Sequence, residues 1–308
     1  MPRPLAPTSG SPRSATQEIP PPPQSEIRPV VVIPLYKLEL SGLEWASFAA
    51  ITSVLAPHPI AILAPRRLAP LLGDWLAARL DLGALQVQLH LVDDHWLADV
   101  SAYNHLMLQP WFYDHYREFS HLLIAQLDSY VFRDELLHWC RQPYAYLGAP
   151  IYPEGAAYGE AGCQALGAGG FSLRALAAFR QAFARNPRLV GLADLPSVIR
   201  GYNLRGAVVR LLRLLRLLLS GDCRLCQRHN LVQRRLGLNE DVIFGAVLPR
   251  LLPWFTVPDY ATACRFALDR YVERDLAAQP GLPFGSHGWF RDPATVAAWR
   301  PHIPALQA

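Results

Sequence analysis

Two short runs of consecutive apolar residues, Val30-Val31-Val32-Ile33 and Ile60-Ala61-Ile62-Leu63, constrain this chain more than any other feature. A strand with one wetted face alternates apolar and polar side chains. A run without alternation has to be buried on both faces, as in a parallel sheet covered by helices. Pro34 stops the first run, and a helical stretch from Glu39 to Leu55 separates it from the second. Pro65 to Leu80 reads as loop and helix, Val87 to Val92 alternates, and Tyr103 to Phe112 is helical in spacing. His121 to Leu127 is apolar until Gln126 and Asp128 at its end, and Tyr146 to Pro150 and Gly170 to Leu173 supply further strands. Strands alternating with helices in this way predict an α/β fold with a largely parallel sheet.

Of the 308 residues 51% are hydrophobic, which excludes a wholly disordered chain and a disulfide-stapled mini-protein. The net charge of +4 is almost all arginine, Lys37 being the only lysine, and it gives no case for a nucleic-acid partner, which wants a dense basic face. Five cysteines without framework spacing read as reduced thiols in a cytoplasmic protein. Residues 1–29 are Pro-rich, contain no apolar signal core and read as a disordered tail; no stretch approaches the roughly 20 apolar residues of a membrane span. Order is expected over residues 30–303 as one domain, with a Leu/Arg-rich helical insertion at 203–230.

Four segments carry residue types able to do chemistry. Gln126-Leu127-Asp128 sits where open α/β sheets bind ligands, outside the carboxyl end of a strand. A carboxylate there is an oxygen ligand for Mg²⁺ or Mn²⁺ against phosphates, and a helix cap is the competing reading. Gly167-Ala168-Gly169-Gly170, leading into Phe171-Ser172-Leu173-Arg174, allows close approach of backbone to a ligand or forms a tight corner. Asn239-Glu240-Asp241 places adjacent carboxylates at a helix start, as caps or with Asp241 as general base and Glu240 hydrogen-bonding the substrate. His287, between Gly285-Ser286 and Gly288-Trp289, is flanked by flexible and aromatic residues and can reach over a site or be merely structural.

Taken in order, these segments resemble glycosyltransferases of the GT-A fold. More closely, the chain is similar to a glycosyltransferase-like domain-of-unknown-function family. The similarity rests on Tyr103-Asn104 with Leu106-Met107, Gln126 and Asp128, Tyr146 with Gly148-Ala149-Pro150, Gly169 to Arg174, Asn239-Glu240-Asp241, and Phe284-Gly285 with His287 and Trp289. The resemblance implies transfer of a sugar from a nucleotide-sugar donor to a hydroxyl acceptor, a polysaccharide or glycolipid precursor, with a divalent cation (Mn²⁺ or Mg²⁺) as cofactor. It assigns Asp128 and His287 as metal ligands, with Gln126 replacing the first carboxylate of the usual Asp-x-Asp pair. Asp241 matches the base of inverting members. Pro34, Tyr36, Asn104, Gln126, Gly169, Gly170 and Trp289 fall at donor or substrate positions. Two rival readings are a sugar nucleotidyltransferase and an inactive sugar-nucleotide-binding protein.

Residues 206–220 space Arg210, Arg213 and Arg216 three apart among leucines. That pattern suits peripheral contact with the inner face of an anionic membrane, where lipid-linked acceptors lie; a helix packed on the domain with solvated arginines is the alternative. Cys223, Cys226 and His229 offer three zinc ligands where a structural site wants four, and read as core-packing residues.

Overall fold

The two apolar runs become the centre of a sheet. The computed structural model describes residues 27–153, 156–191, 204–220 and 222–307; residues 1–26 of the expected tail and residues 203 and 221 of the expected insertion lie outside the described residues. β1 (Pro29–Pro34) and β2 (Ile60–Pro65) pair in parallel, with every residue from Val30 to Ile33 and from Ile60 to Leu63 withdrawn from solvent. Val30, Val32, Ala61 and Leu63 face one apolar core, and Val31, Ile33, Ile60 and Ile62 face the other. That two-sided burial is why the runs do not alternate.

β3 (Val87–Val92) adds in parallel beyond β2, and β4 (His121–Ala125) adds in parallel on the opposite side of β1. Past β4 run β9 (Phe171–Ala175), antiparallel to both its neighbours, and β6 (Tyr146–Gly148) at the edge, giving the order β3-β2-β1-β4-β9-β6. This is the α/β arrangement with a mostly parallel sheet expected from the sequence. Helices α1 (Gly42–Val54), α2 (Ala69–Ala77), α3 (Val100–Met107), α4 (Pro110–His115) and α5 (Leu136–Cys140) lie between these strands in the chain, and α6 (Leu176–Arg185) follows β9. Two smaller sheets flank the main one: β7 (Pro150–Ile151) with β8 (Ala165–Leu166), and β10 (Ala267–Leu268) with β11 (Gly285–His287) and β5 (Ser129–Val131). The glycine- and aromatic-flanked segment around His287 thus forms a short strand, because β5 offers it an antiparallel edge.

The strand order switches side between β1 and β4: β2 and β3 extend the sheet one way and β4 returns on the other side, parallel to β1. A crevice lies there outside the carboxyl ends of β1 and β4, the general ligand position of open α/β sheets. The five cysteines are free, Cys140, Cys223 and Cys264 buried and Cys163 and Cys226 half-buried, and among the described residues no helix is long and apolar enough to cross a membrane.

Candidate functional site

A cleft of about 500 Å³ opens at this crevice, lined by Pro34 and Tyr36 from the end of β1, by Asp99, Val100 and Tyr103 around α3, and by Gln126, Leu127 and Asp128 after β4. Each wall has a local cause. Pro34 ends β1, and Ser41 then starts α1 with a reciprocal cap to Glu44. Arg67 donates to the Tyr36 carbonyl at 2.8 Å and so fixes the loop between them. Asp99 caps α3 through the Ala102 N–H. The Gln126 N–H donates to the Gly170 carbonyl, and Ser129 Oγ donates to the same oxygen, so the segment after β4 is pinned to the glycine loop before β9.

β11 carries His287 in antiparallel register with Ser129. Its Nε2 lies 3.5 Å from Asp128 Oδ2, and its Nδ1 lies 3.3 Å from Asp269 Oδ1, an ion-pair distance without hydrogen-bond alignment. Arg291 pairs with the same Asp269 oxygen. Burial alone would lower the pKa of His287, but Asp128 and Asp269 outweigh burial and the opposing Arg291 charge, and raise it to about 9. Burial raises that of Asp269, and the His287 and Arg291 charges then carry it below the usual carboxylate value.

Gly169 and Gly170 are where the chain comes closest to these groups. A Cβ on Gly170 would overlap His287 Nε2 and Gln126 Oε1, and one on Gly169 would overlap Glu240 Oε1 and touch Asp241. Only glycine fits both positions without displacing site side chains. Helix Glu240–Val242 presents the two carboxylates in its first turn, where the macrodipole favours them, and Asn104 Oδ1 accepts the Glu240 N–H. The helix continues as a π turn over Ile243–Val247 into Leu248–Leu251. Pro249 has no N–H to offer the residue 245 carbonyl, which accounts for the widened turn.

Glu240 is 4% exposed; its Oε1 lies 3.6 Å from Nη2 of Arg174, which is itself wholly buried. Arg174 donates to Tyr113 Oη at 2.8 Å and packs over the rings of Tyr146, Phe179 and Phe244. Burial first and Asp241 second raise the Glu240 pKa well above the carboxylate range, against the pull of Arg174. Asp241 is also raised by burial; the Val242 N–H, the His287 charge and the Gly169 N–H oppose that rise. Gln126, Asp128, Gly169, Gly170, Glu240, Asp241 and His287, spread over 162 positions of sequence, therefore meet beside one cleft.

Residues 86–287 match a family described as a protein of unknown function, DUF5672. The chain belongs to the DUF5672 family. No curated protein matches the sequence. Among solved structures, this DUF5672 protein is similar to galactosyltransferase LgtC in complex with donor and acceptor sugar analogues, with 11% identity and a TM-score of 0.47 over 88% of this chain and 93% of that one. It is similar to glycosyltransferase GlyE of Streptococcus pneumoniae TIGR4, with 10% identity and a TM-score of 0.42 over 85% of this chain and 54% of that one. A third similarity is to 4-diphosphocytidyl-2C-methyl-D-erythritol synthase from Anaerococcus prevotii DSM 20548, with 7% identity and a TM-score of 0.34 over 56% and 82% of the two chains.

Three expected substrate contacts of the DUF5672 chain, Trp289, Asn104 and Glu240, are buried. Trp289 has no exposed ring face: it is wholly buried, donates from Nε1 to Ser47 Oγ at 2.8 Å, and uses its backbone N–H to hold the Asp128 carbonyl. Asn104 spends its amide on the Val100 carbonyl and the Glu240 N–H, tying α3 to the carboxylate helix from behind the cleft. Glu240 likewise faces Arg174 and the back of Gly169, so it is enclosed rather than open to substrate.

Sequence reasoning gave Arg174 and Tyr103 no role of their own, although both lie in motifs that carry the resemblance, and it passed over Asp269 and Arg291. Arg174 had a signal, a charge following the strand pattern Phe171-Ser172-Leu173, which is costly to bury without a partner. Asp269 and Arg291 had none, since their link to His287 exists only in space. The Tyr103 hydroxyl is buried beside the cleft without a well-formed hydrogen bond.

Proposed function

We propose that this protein transfers a sugar from a nucleotide-activated donor to a hydroxyl acceptor, in a polysaccharide or glycolipid precursor, with inversion at the sugar. The observation that carries the proposal is the meeting of Asp128, His287, the Gly169-Gly170 loop and Asp241 beside a cleft at the β1/β4 switch point. Breaking the bond to a nucleoside diphosphate puts negative charge on phosphate, and cationic groups aimed at that charge lower the barrier. His287, held positive by two carboxylates, and the glycine loop, with no side chain in the way, suit the diphosphate end. Pro34 and Tyr36 suit the nucleotide. Asp241 takes the proton of the acceptor hydroxyl, a role supported by its partial exposure and its position next to the same loop. Glu240 and Arg174 act behind it as positioning residues.

A divalent cation fits these residues as a shared ligand rather than a caged one. Among the described residues no group of three His, Cys, Asp or Glu side chains could hold an ion. Asp128 Oδ2 and His287 Nε2 are nevertheless spaced to share one ion, with Gln126 Oε1 adjoining and Asp269 orienting the ring from Nδ1. Mn²⁺ or Mg²⁺ bound there would neutralise diphosphate charge, the remaining positions being filled by phosphate oxygen and water. His287 would have to lose its proton to bind, so metal affinity should rise with pH.

The test is a thermal-shift panel of sugar nucleotides with and without Mn²⁺, followed by a transfer assay on whatever donor stabilises. A donor at 100 times its dissociation constant raises stability by about 2.7 kcal/mol. Release of nucleoside diphosphate supports the proposal. Pyrophosphate release from a nucleoside triphosphate and a sugar phosphate would move the chain to nucleotidyl transfer, and binding without any turnover would leave a binding protein.

A further inference from the structure

We infer that residues 204–237 dock this protein on an anionic phospholipid surface, with helix Leu204–Ser220 lying in the interface. The helix is seated on the body through Leu214 and Leu217, which are wholly buried. At successive steps of four, four, three and four residues, Leu204, Val208, Leu212, Leu215 and Leu219 form one stripe along another face. All five are exposed, Leu204 by 81% and Leu219 by 87%. Leucines at this spacing are costly to leave in water, at roughly 25 cal/mol per Å², and the described residues do not cover them. Arg205, Arg213 and Arg216 are exposed along one flank, and the helix has no acidic residue.

Charge chooses the occupant. Residues 204–237 hold eight arginines and a single acidic residue, Asp222. Asp222 is itself buried and accepts the Arg228 and His229 N–H groups. This stretch is thus +7 in a chain whose net charge is +4, and everything else sums to −3. A second copy would bring the same positive surface against itself, whereas a bilayer rich in anionic headgroups matches both the apolar stripe and its arginine flank. The surface is also connected to the cleft. The helix packs on helix Leu231–Leu236. Gln233 of the latter accepts from Ser101 Oγ at 3.0 Å, in the first turn of α3, next to the cleft-lining Asp99 and Val100. A docked helix therefore holds the cleft near the membrane plane, where a lipid-linked hydroxyl would be presented.

The experiment is co-sedimentation of the full chain with vesicles of phosphatidylcholine alone and of phosphatidylcholine with phosphatidylglycerol, at low and high salt. It needs no sugar nucleotide, so its failure is separate from failure of the transfer proposal. Binding is expected only to the anionic vesicles and should weaken with salt. Arg213→Gln with Arg216→Gln should weaken it by roughly 25-fold, about fivefold per arginine. Leu212→Asp with Leu215→Asp should abolish it while lowering the melting temperature by only a few degrees, since both side chains are partly exposed. The inference is overturned by equal binding to neutral vesicles, by no binding to either, or by retention in both double variants. It is also overturned by a dimer in solution that Leu212→Asp with Leu215→Asp converts to monomer, which would make the stripe a contact between copies.

Discussion

Gly170→Ala is the sharpest probe of the cleft, because one methyl group lands between two side chains that the proposal needs. The new Cβ would stand 2.7 Å from Gln126 Oε1 and closer still to His287 Nε2. Ordinary carbon contacts are about 3.5 Å or more, so each group has to retreat by roughly 1 Å. Misplacing reacting groups by that distance costs on the order of 10²-fold in rate, about 2.7 kcal/mol of transition-state stabilisation. Stability should fall much less. The backbone at Gly170 needs no left-handed conformation, and the obstructing atoms are side-chain ends facing the cleft, so the loss belongs at the low end of the roughly 1–3 kcal/mol for overpacking. The assay is kcat/KM for transfer measured beside urea unfolding on the same preparation. Unchanged kcat/KM in a folded Gly170→Ala protein would refute the placement of His287 and Gln126 against the reacting phosphate. A loss of activity that merely tracks unfolding would refute it equally.

Three further outcomes are expected. Asp241→Asn should lower kcat by about 10²–10⁴-fold while donor affinity, read by thermal shift, stays within a few-fold; normal turnover removes the base assignment. Arg174→Met leaves Glu240 without its buried partner and should cost about 3–5 kcal/mol in urea unfolding, and a melting temperature within a degree or two of the parent would show the pair to be unimportant. Burial, with His115 stacked beside it, lowers the His90 pKa to about 3, and burial lowers that of His121 to about 4. Below pH 6.5 the unfolded chain binds protons that the folded one refuses, so each histidine should remove about 2 kcal/mol of stability between pH 6.5 and 4.5. His90→Phe should lose its share of that slope, and an unchanged slope in unfolding curves would contradict the assignment.

The sequence by itself determined the frame. Val30–Ile33 and Ile60–Leu63 specify two-sided burial because no other setting removes every one of their side chains from water, and that fixes a covered parallel sheet before any coordinate is known. It also marked Asp128 and Gln126, since a polar end on an apolar strand shows where the sheet meets solvent. What surrounds them came only with tertiary structure. Asp269 and Arg291 reach His287 through a three-stranded sheet whose strands are each two or three residues long, too short for any periodicity to register. Trp289 and Asn104 have the residue types of a binding site yet lie behind it, because whether a ring or amide faces a ligand is set by which neighbour takes its hydrogen bond: Ser47 for one, Val100 and Glu240 for the other. The exposed stripe of helix Leu204–Ser220 is the same case reversed. Its leucines could all have packed inward, and only the seating of Leu214 and Leu217 decided which face was left in water.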